Sequence, residues 1–167
     1  MAKFKLGEKM ETKIDIKPIG FVRSKNGTFQ IEINCEFKPA LTNLDGFSHL
    51  QVTWWGHLYA TPESRAVLVG EKPYKNGPDK IGIFATRSPV RPNPVLITNI
   101  YVQKIDYEKG IIETPYIDAE DETPIIDIKP YHKSERVKDC TVPDWCKHWP
   151  EWDEDEVEFD WTAEFNF

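Results

Sequence analysis

One stretch of the sequence reads Ile81-Gly82-Ile83-Phe84-Ala85-Thr86-Arg87-Ser88-Pro89-Val90-Arg91-Pro92-Asn93-Pro94. Apolar residues alternate with other residues over 81–85, as they do in a half-buried β-strand. Three prolines within six residues follow. Each proline fixes its own φ, removes an amide donor and restricts the residue before it to extended geometry. The sequence therefore predicts a strand over 81–85 that leads into a stiff loop, residues 86–94, called here the Arg-Pro loop.

The Arg-Pro loop also carries side chains suited to ligand binding. Arg87 and Arg91 each offer a guanidinium fork that matches a carboxylate or a phosphate. Because the backbone is restricted before any ligand arrives, little further entropy is lost on binding. A surface turn with both arginines in water is the alternative that composition alone leaves open.

The rest of the chain is rich in strand and turn signals. Residues 29–35 alternate in polarity after Asn26-Gly27, a pair typical of a type I′ hairpin. Residues 50–59 and 95–102 are predicted strands, and 61–69 is open between strand and short helix. Many short strands and little helical periodicity predict an all-β fold: a small β-barrel with short helical or irregular insertions and a C-terminal tail.

Length and composition divide the chain into three predicted parts. At 167 residues it is long enough for one domain with a real core. We predict a flexible N-terminus (1–13), a barrel domain (14–135) and a tryptophan-rich acidic tail (136–167). The tail tryptophans are expected to pack onto the barrel while its acids face water. Residues 133–147 are expected to form a short helix or an irregular wrap.

Several classes of protein are disfavoured. No apolar run approaches a membrane span and no signal-peptide core is present, so a cytoplasmic protein is expected. An odd number of cysteines outside any disulfide framework fits a reducing compartment. The five-residue gap between Cys140 and Cys146 and the lack of a fourth ligand beside His148 argue against a metal site, and none is predicted.

The net charge of −7 does not exclude a nucleic-acid partner. Six acids lie between residues 153 and 160, and the chain without them has a net charge of roughly −1. A local basic face on the rest of the protein therefore remains open.

Three motifs, in order, resemble one known family. Arg-Ser-Pro-x-Arg-Pro-Asn-Pro after Phe-Ala-Thr resembles the signature of the TrmO/TsaA-like family. Residues 44–50 (LDGFSHL) and 123–131 (TPIIDIKPY) are similar to that family's flanking elements. The resemblance covers roughly residues 14–131. It implies a β-barrel, S-adenosylmethionine-dependent methyltransferase that acts on N6 of a tRNA adenosine, threonylcarbamoyladenosine beside the anticodon, and that pairs as a homodimer.

The resemblance also implies site residues. Cofactor contacts are expected from the Arg-Pro region and a downstream loop: Phe84, Ala85, Thr86, Arg87, Ser88, Arg91, Asn93, Asp118, Thr123 and Pro124. Substrate contacts are expected from His49, Lys129 and Tyr131. Catalytic roles are assigned to Arg91 and to Asp127, as a base, with a structural Asp127–Arg91 pair as the alternative. Ser48 and His49 are not expected to pair, because adjacent strand residues point to opposite faces.

Some positions depart from the family pattern. The Asn26-Gly27 hairpin is shorter than the loop found in relatives, and Val95-Leu96 puts bulk where relatives have a glycine, which is expected to narrow the pocket. Glu122 stands where a glycine is expected and must accept a strained φ or sit in an altered turn. The 71–80 loop is a candidate lid.

A methyltransferase for a small molecule and a non-catalytic S-adenosylmethionine-binding module are the competing functions.

Overall fold

The computed structural model describes residues 14–25 and 27–167, without the side chain of Lys25. The N-terminal residues 1–13, predicted to be flexible, and Asn26 of the first hairpin lie outside the described residues. The hairpin itself is confirmed. Strands β1 (Gly20–Lys25) and β2 (Thr28–Ile33) pair in antiparallel register, with Lys25 opposite Thr28 and Gly27 at φ 77°. A two-residue turn of this kind requires the positive φ that glycine adopts without strain.

The described part of the chain contains nine strands. After β1 and β2 come β3 (His49–Trp55), β4 (Val69–Glu71), β5 (Lys80–Gly82), β6 (Val95–Tyr101), β7 (Lys104–Asp106), β8 (Ile111–Thr114) and β9 (Pro124–Pro130). Seven of them pair in the order β6-β3-β9-β1-β2-β8-β7, while β4 and β5 form a separate two-stranded ribbon. All pairings are antiparallel.

The two edge strands of the seven-stranded sheet are consecutive in sequence, and this closes the sheet into a barrel. Only Val102 and Gln103 separate β6 from β7. The Val102 amide donates to the carbonyl of Ser48, next to β3, and the Gln103 amide donates to the carbonyl of Glu113 in β8. One bent strand therefore pairs with both ends of the sheet. The all-β barrel predicted from the sequence is confirmed.

Aliphatic side chains on alternate strand positions fill the barrel. In β3, Leu50, Val52 and Trp54 are buried while their neighbours are partly exposed. Their partners come from the other strands: Val22, Ile31, Ile33, Ile100, Ile112 and Ile125. A period of two places every second side chain in one apolar interior, which is the main stabilising contribution of such a sheet.

Two strand predictions need correction. The strand at Ile81 ends at Gly82, because Ile83–Ala85 forms a 3₁₀ turn that buries Ile83 and exposes Phe84. Residues 50–59 are a strand only to Trp55, and a second 3₁₀ turn follows at His57–Tyr59. Residues 61–69 hold one short helix, α1 (Pro62–Arg65), which is capped by the Thr61 hydroxyl and stops before β4.

The tail is irregular, as predicted for its first part, and has an aromatic cluster of its own. Its short 3₁₀ turns are Asp144–Cys146, Asp153–Val157 and Trp161–Ala163, and a further 3₁₀ turn, Lys133–Glu135, precedes it. Tyr74 stacks on Trp145 with ring centroids 5.1 Å apart and meets Trp149 edge-on. Trp149 contacts Trp161 edge-on at 5.3 Å. The tail tryptophans Trp145 and Trp149 therefore pack on the predicted barrel domain, through a tyrosine of its 71–80 loop and not through the sheet.

Hydrogen bonds join the tail to the same loop. The Lys75 amide donates to the carbonyl of Glu164, and Asn166 Nδ2 donates to the carbonyl of Lys72 at 2.7 Å. Within the cluster, Glu164 accepts hydrogen bonds from His148 Nε2 (2.8 Å) and Trp149 Nε1 (3.1 Å). The candidate lid is thus held in place by the tail in this conformation.

Candidate active site

A cavity of about 460 Å³ opens at the end of the barrel where β3 stops and β6 starts. Its walls are formed by residues 54–59, by residues 116–123 and by part of the Arg-Pro loop. The lining residues are Ser24, Phe29, Trp54, Gly56, His57, Leu58, Tyr59, Arg87, Pro89, Leu96, Tyr116, Ile117, Asp118, Ala119, Glu120, Asp121 and Thr123. The size falls in the range of small-molecule sites, and the lining mixes apolar surface with few charged groups, as such sites do.

The Arg-Pro loop uses most of its polar side chains to hold its own shape. Thr86 Oγ1 donates to the carbonyl of Ile83 (2.9 Å) and accepts from the amide of Ser88. Ser88 Oγ accepts from the amide of Val90. Arg91 Nη1 lies 3.4 Å from the carbonyls of Thr86 and of Ser88. Arg91 therefore points back into the loop. The prolines of the loop have no backbone N–H, and the guanidinium of Arg91 supplies donors to the loop carbonyls instead.

Arg87 is the loop cation that lines the cavity. Its Nη2 donates to the carbonyl of Ile97 at 3.2 Å, which anchors the side chain on β6 and leaves further N–H donors of the guanidinium for a ligand. Asp118 faces the same cavity. Burial raises the pKa of Asp118, although the positive charge of Arg87 and a hydrogen bond from Tyr116 act in the opposite direction.

Tyr116 belongs to the same electrostatic group. Burial raises the pKa of its hydroxyl, and the nearby charge of Asp118 adds to the effect. Its ring meets Phe29 edge-on with centroids 6.1 Å apart. One wall of the cavity therefore combines an aromatic pair with a carboxyl group and an arginine.

The acidic tail lies close to this arginine. The pKa values of Asp153 and Glu156 are raised, mainly because burial disfavours the charged forms. The nearby positive charge of Arg87 acts in the opposite direction on both. Glu156 also interacts with Asp118, and Asp153 with His49. Both tail side chains keep exposed surface, but neighbouring protein atoms remove part of their water. Asp153 and Glu156 are exposed, as expected for the tail acids, and they also lie within range of the charge of Arg87.

Of the predicted site residues, three line the cavity, namely Arg87, Asp118 and Thr123. The predicted base and the predicted substrate contacts are among those outside its lining. Lys129 forms an ion pair with Asp127, and the Ile128 amide donates to Asp127 Oδ1 at 3.0 Å. No Asp127–Arg91 pair exists among the described residues, so that alternative is wrong. The Tyr131 amide donates to the carbonyl of His49, which puts both residues at the other end of β3 and β9. Side chains on the outer face of β9 cannot reach a cavity at the end of the barrel.

Ser48 and His49 do form a hydrogen bond, against the sequence prediction. Ser48 Oγ lies 2.9 Å from His49 Nδ1. Strand β3 begins at His49, so Ser48 is not part of the pleat and the alternation of faces does not apply to it. His49 also contacts Tyr101 edge-on, with centroids 5.5 Å apart.

Of the remaining predicted residues, Thr123 lines the cavity and the others lie outside its lining. Thr123 is buried, and its carbonyl accepts from the amide of Val22. Pro124 begins β9 and pairs with Phe21. Phe84 is 79% exposed, next to Ala85 at the end of the 3₁₀ turn. Asn93 is exposed, and its Oδ1 accepts from Arg65 Nη2 at 3.2 Å.

Sequence reasoning missed the segment after β3. Gly56 lines the cavity, and its amide donates to the carbonyl of Pro94 at 2.8 Å. A Cβ on Gly56 would lie 3.0 Å from Leu96 Cδ1 and 3.3 Å from Pro94 Cβ. The glycine after Trp54-Trp55 was the available signal, since glycine in a strand pattern often marks a close backbone approach. Leu96, whose bulk was expected to narrow the pocket, lines the cavity.

The described residues offer neither a metal cluster nor a membrane-spanning helix. No group of three or more His, Cys, Asp or Glu side chains there is arranged to hold a metal ion. No helix in the described ranges combines the length and the apolar character needed to cross a bilayer.

Residues 11–135 match the family model described as tRNA-methyltransferase O N-terminal domain. A probable S-adenosyl-L-methionine-binding protein of Methanocaldococcus jannaschii is 40% identical over 126 residues, which cover 75% of this chain and 95% of the relative. A protein of Pyrococcus horikoshii with the same description is 39% identical over 115 residues, covering 68% and 79%.

A tRNA (adenine(37)-N6)-methyltransferase of Escherichia coli is 32% identical over 114 residues, which cover 67% of this chain and 48% of that relative. Among solved structures, TrmO from Pseudomonas aeruginosa superposes with a TM-score of 0.63 at 24% identity, covering 82% of this chain and 63% of that one. At this identity the likeness concerns the fold.

Proposed function

This chain belongs to the tRNA-methyltransferase O family, and we propose that it transfers a methyl group to N6 of a tRNA adenosine. It is an S-adenosylmethionine-dependent methyltransferase. The archaeal relatives are described as probable S-adenosyl-L-methionine-binding proteins, and the Escherichia coli relative as a tRNA (adenine(37)-N6)-methyltransferase. The identity of the methyl acceptor is the part that we propose, and threonylcarbamoyladenosine beside the anticodon is the first candidate. The cytoplasm, where tRNA is found, is the proposed compartment.

The observation that supports the proposal is the cavity with Arg87 in its wall. S-adenosylmethionine carries a carboxylate, an ammonium group, a ribose and an adenine. Arg87 has unused donors for a carboxylate, and the walls at Phe29, Trp54 and Leu96 are apolar surface for an adenine ring. The residues present therefore fit the cofactor.

The bound cofactor supplies an activated methyl group on a sulfonium. The chain has to orient the acceptor, exclude water and remove a proton, because a methylated amine nitrogen is left with a surplus proton. We propose Asp118 as the acceptor of that proton, because it lines the cavity and loss of surrounding water raises its pKa above that of an ordinary aspartate. Asp127, the base expected from sequence, is ion-paired with Lys129 outside the cavity.

The remaining assignments of the Arg-Pro loop follow from its contacts. Arg91, Thr86 and Ser88 keep the loop in shape, so we propose that they act on the cofactor site through Arg87. Lys129, Tyr131 and His49 lie at the other end of β3 and β9, and we propose that they contact the RNA backbone outside the cavity.

A smaller acceptor is the second candidate. Asp153 and Glu156 place negative charge near Arg87, which opposes the approach of RNA phosphates. A small acceptor that is neutral or cationic would not meet this repulsion.

The test uses purified protein, labelled S-adenosylmethionine and bulk tRNA from the source cell, followed by digestion and mass spectrometry of the nucleosides. We expect a methylated adenosine derivative with the wild-type protein and its loss in Arg87→Ala and Arg91→Ala. Lys80→Ala is the matched control, because it removes one positive charge from an exposed ion pair with Glu71. Cofactor binding with no label in any tRNA nucleoside would refute the tRNA acceptor and favour the small-molecule candidate.

A homodimer is part of the proposal. Exposed apolar side chains line one outer face of β6, namely Val95, Ile97 and Tyr101, and Phe84 is exposed on the turn before the Arg-Pro loop. Exposed apolar surface of this kind often marks an interface. Sedimentation equilibrium at micromolar concentration is expected to give twice the chain mass, and a monomer would refute the dimer.

A further inference from the structure

Arg65 joins helix α1 to the far end of the Arg-Pro loop by three contacts. Its Nε donates to the carbonyl of Pro92 at 2.7 Å, and its Nη2 donates to Asn93 Oδ1 at 3.2 Å. Its guanidinium carbon lies 5.7 Å from the centroid of the Trp55 ring. A planar guanidinium makes such combined contacts because its donors lie in one plane while its face stacks on an aromatic ring.

The contact with Arg65 fixes which way the Asn93 amide points. A guanidinium has donors and no acceptor, so only the oxygen of the amide can face it. The Nδ2 group is consequently turned away from Arg65. No hydrogen bond from Asn93 Nδ2 to another described residue exists, and Asn93 is exposed. The loop therefore presents an oriented N–H donor that the folded chain does not use.

We propose that Arg65 is a positioning residue that holds Asn93 so that Nδ2 donates a hydrogen bond to an acceptor atom of a bound ligand. This inference rests on the proposed function, in which both the cofactor and the adenosine substrate carry suitable acceptors: ring nitrogens, ribose oxygens and a carboxylate. The gain comes from preorganisation, since an amide already held by Arg65 has less freedom to lose on binding.

The Arg-Pro loop sequence alone does not contain this arrangement. The prolines restrict the backbone, but a fixed backbone still leaves Asn93 a choice among several side-chain rotamers. Arg65 is 28 residues away in sequence and reaches Asn93 only through the tertiary structure.

Three variants test the assignment. Asn93→Asp keeps an oxygen for Arg65 and removes the N–H donor, so the fold stays intact while the ligand bond is lost. Asn93→Ala removes the donor without adding a charge. Arg65→Ala leaves the donor but frees its orientation. Each is measured for S-adenosylmethionine affinity by calorimetry and for tRNA affinity by fluorescence anisotropy, neither of which depends on turnover.

We expect Asn93→Asp and Asn93→Ala to lose affinity for the same ligand by roughly tenfold, as for one well-formed hydrogen bond to a ligand. Whether that ligand is the cofactor or the tRNA identifies the source of the acceptor atom. Because Arg65 acts through Asn93, the double variant Arg65→Ala/Asn93→Ala is expected to bind no more weakly than Asn93→Ala alone.

Unchanged affinity for both ligands in Asn93→Ala would overturn the inference, as would losses that multiply in the double variant. A loss confined to Asn93→Asp would assign the effect to the added charge and overturn it too. Failure of the proposed function is a separate result, because it appears as absence of tRNA methylation by the wild-type protein while these affinities are still measured.

Discussion

The barrel and the tail become ordered in different ways. The barrel buries alternate aliphatic side chains of paired strands, with Leu50, Val52 and Ile31 fully inaccessible. The tail has neither a strand ladder nor a helix longer than a few residues in its described structure, and its order rests on aromatic contacts around Tyr74 and on the buried carboxylate of Glu164. The core of the catalytic barrel is therefore formed by the strands alone, whereas the tail is attached through ring contacts and hydrogen bonds to the 71–80 loop.

The largest expected effect comes from breaking the barrel core. Leu50→Ala removes a fully buried side chain and is expected to lower the free energy of unfolding of the whole chain by about 2–5 kcal/mol. Trp149→Ala, in contrast, is expected to release the tail while the barrel stays folded. Limited proteolysis checks this difference: the first variant is cleaved throughout, and the second only after about residue 136. Whole-chain unfolding in Trp149→Ala would contradict the independence of the barrel.

A second effect distinguishes the two regions by pH. The hydrogen bond from His148 is the main cause that lowers the pKa of Glu164, and Trp149 adds to it. A lowered pKa means that the folded state binds the proton less well than the unfolded state, so this contribution is complete above the ordinary pKa of 4.5 and is lost as the pH falls through the lower, folded-state pKa. We expect the tail to detach in acid before the barrel unfolds.

Tryptophan fluorescence follows this acid transition, because Trp145, Trp149, Trp152 and Trp161 belong to the tail. Glu164→Gln keeps an acceptor without the ionisation, so it is expected to abolish the pH dependence of tail release. The same transition in this variant would assign the acid effect to another group.

A third, smaller effect concerns the acids that the tail places near Arg87. Asp153→Asn/Glu156→Gln is expected to raise tRNA affinity about two- to fivefold, as expected for partly exposed charges. Asp155→Asn/Glu158→Gln gives the same change in net charge within the same acidic segment. Anisotropy at several salt concentrations measures both. An equal gain in the control pair would mean that only the overall charge matters.

The smallest effect concerns a local feature of the barrel. Glu122 adopts φ 63°, as expected if it accepted the strained backbone of a glycine position, and its carboxylate forms an ion pair with Arg23. Strain of about 1 kcal/mol exceeds the contribution of most exposed ion pairs. Glu122→Gly is therefore expected to raise the stability by less than about 1 kcal/mol. Chemical denaturation measures it, with Glu122→Ala as the less stable control that keeps the strain and loses the pair.

Local patterns in the sequence were sufficient for the strands and the turns. Alternation over 29–35 and the Asn-Gly pair predicted the first hairpin, because both the pleat and the positive φ of the turn depend on residues close in sequence. The Arg-Pro loop was predicted as a rigid element, and Arg87 and Asp118 were predicted as site residues that the structure brings to one cavity. The predicted strand ends were wrong at Gly82 and at Trp55, because a 3₁₀ turn ends each strand earlier than the apolar residues indicated.

The sequence by itself determined the all-β class, the hairpins and the family, because these follow from periodicity, turn residues and contiguous motifs. Tertiary structure decided which polar groups meet. It paired Asp127 with Lys129 instead of Arg91, placed Arg65 against Asn93, and set the tail tryptophans on Tyr74 and the tail acids near Arg87. Contacts between residues far apart in sequence depend on how the whole sheet closes and on which side chains remain without a partner, and no local pattern contains that information.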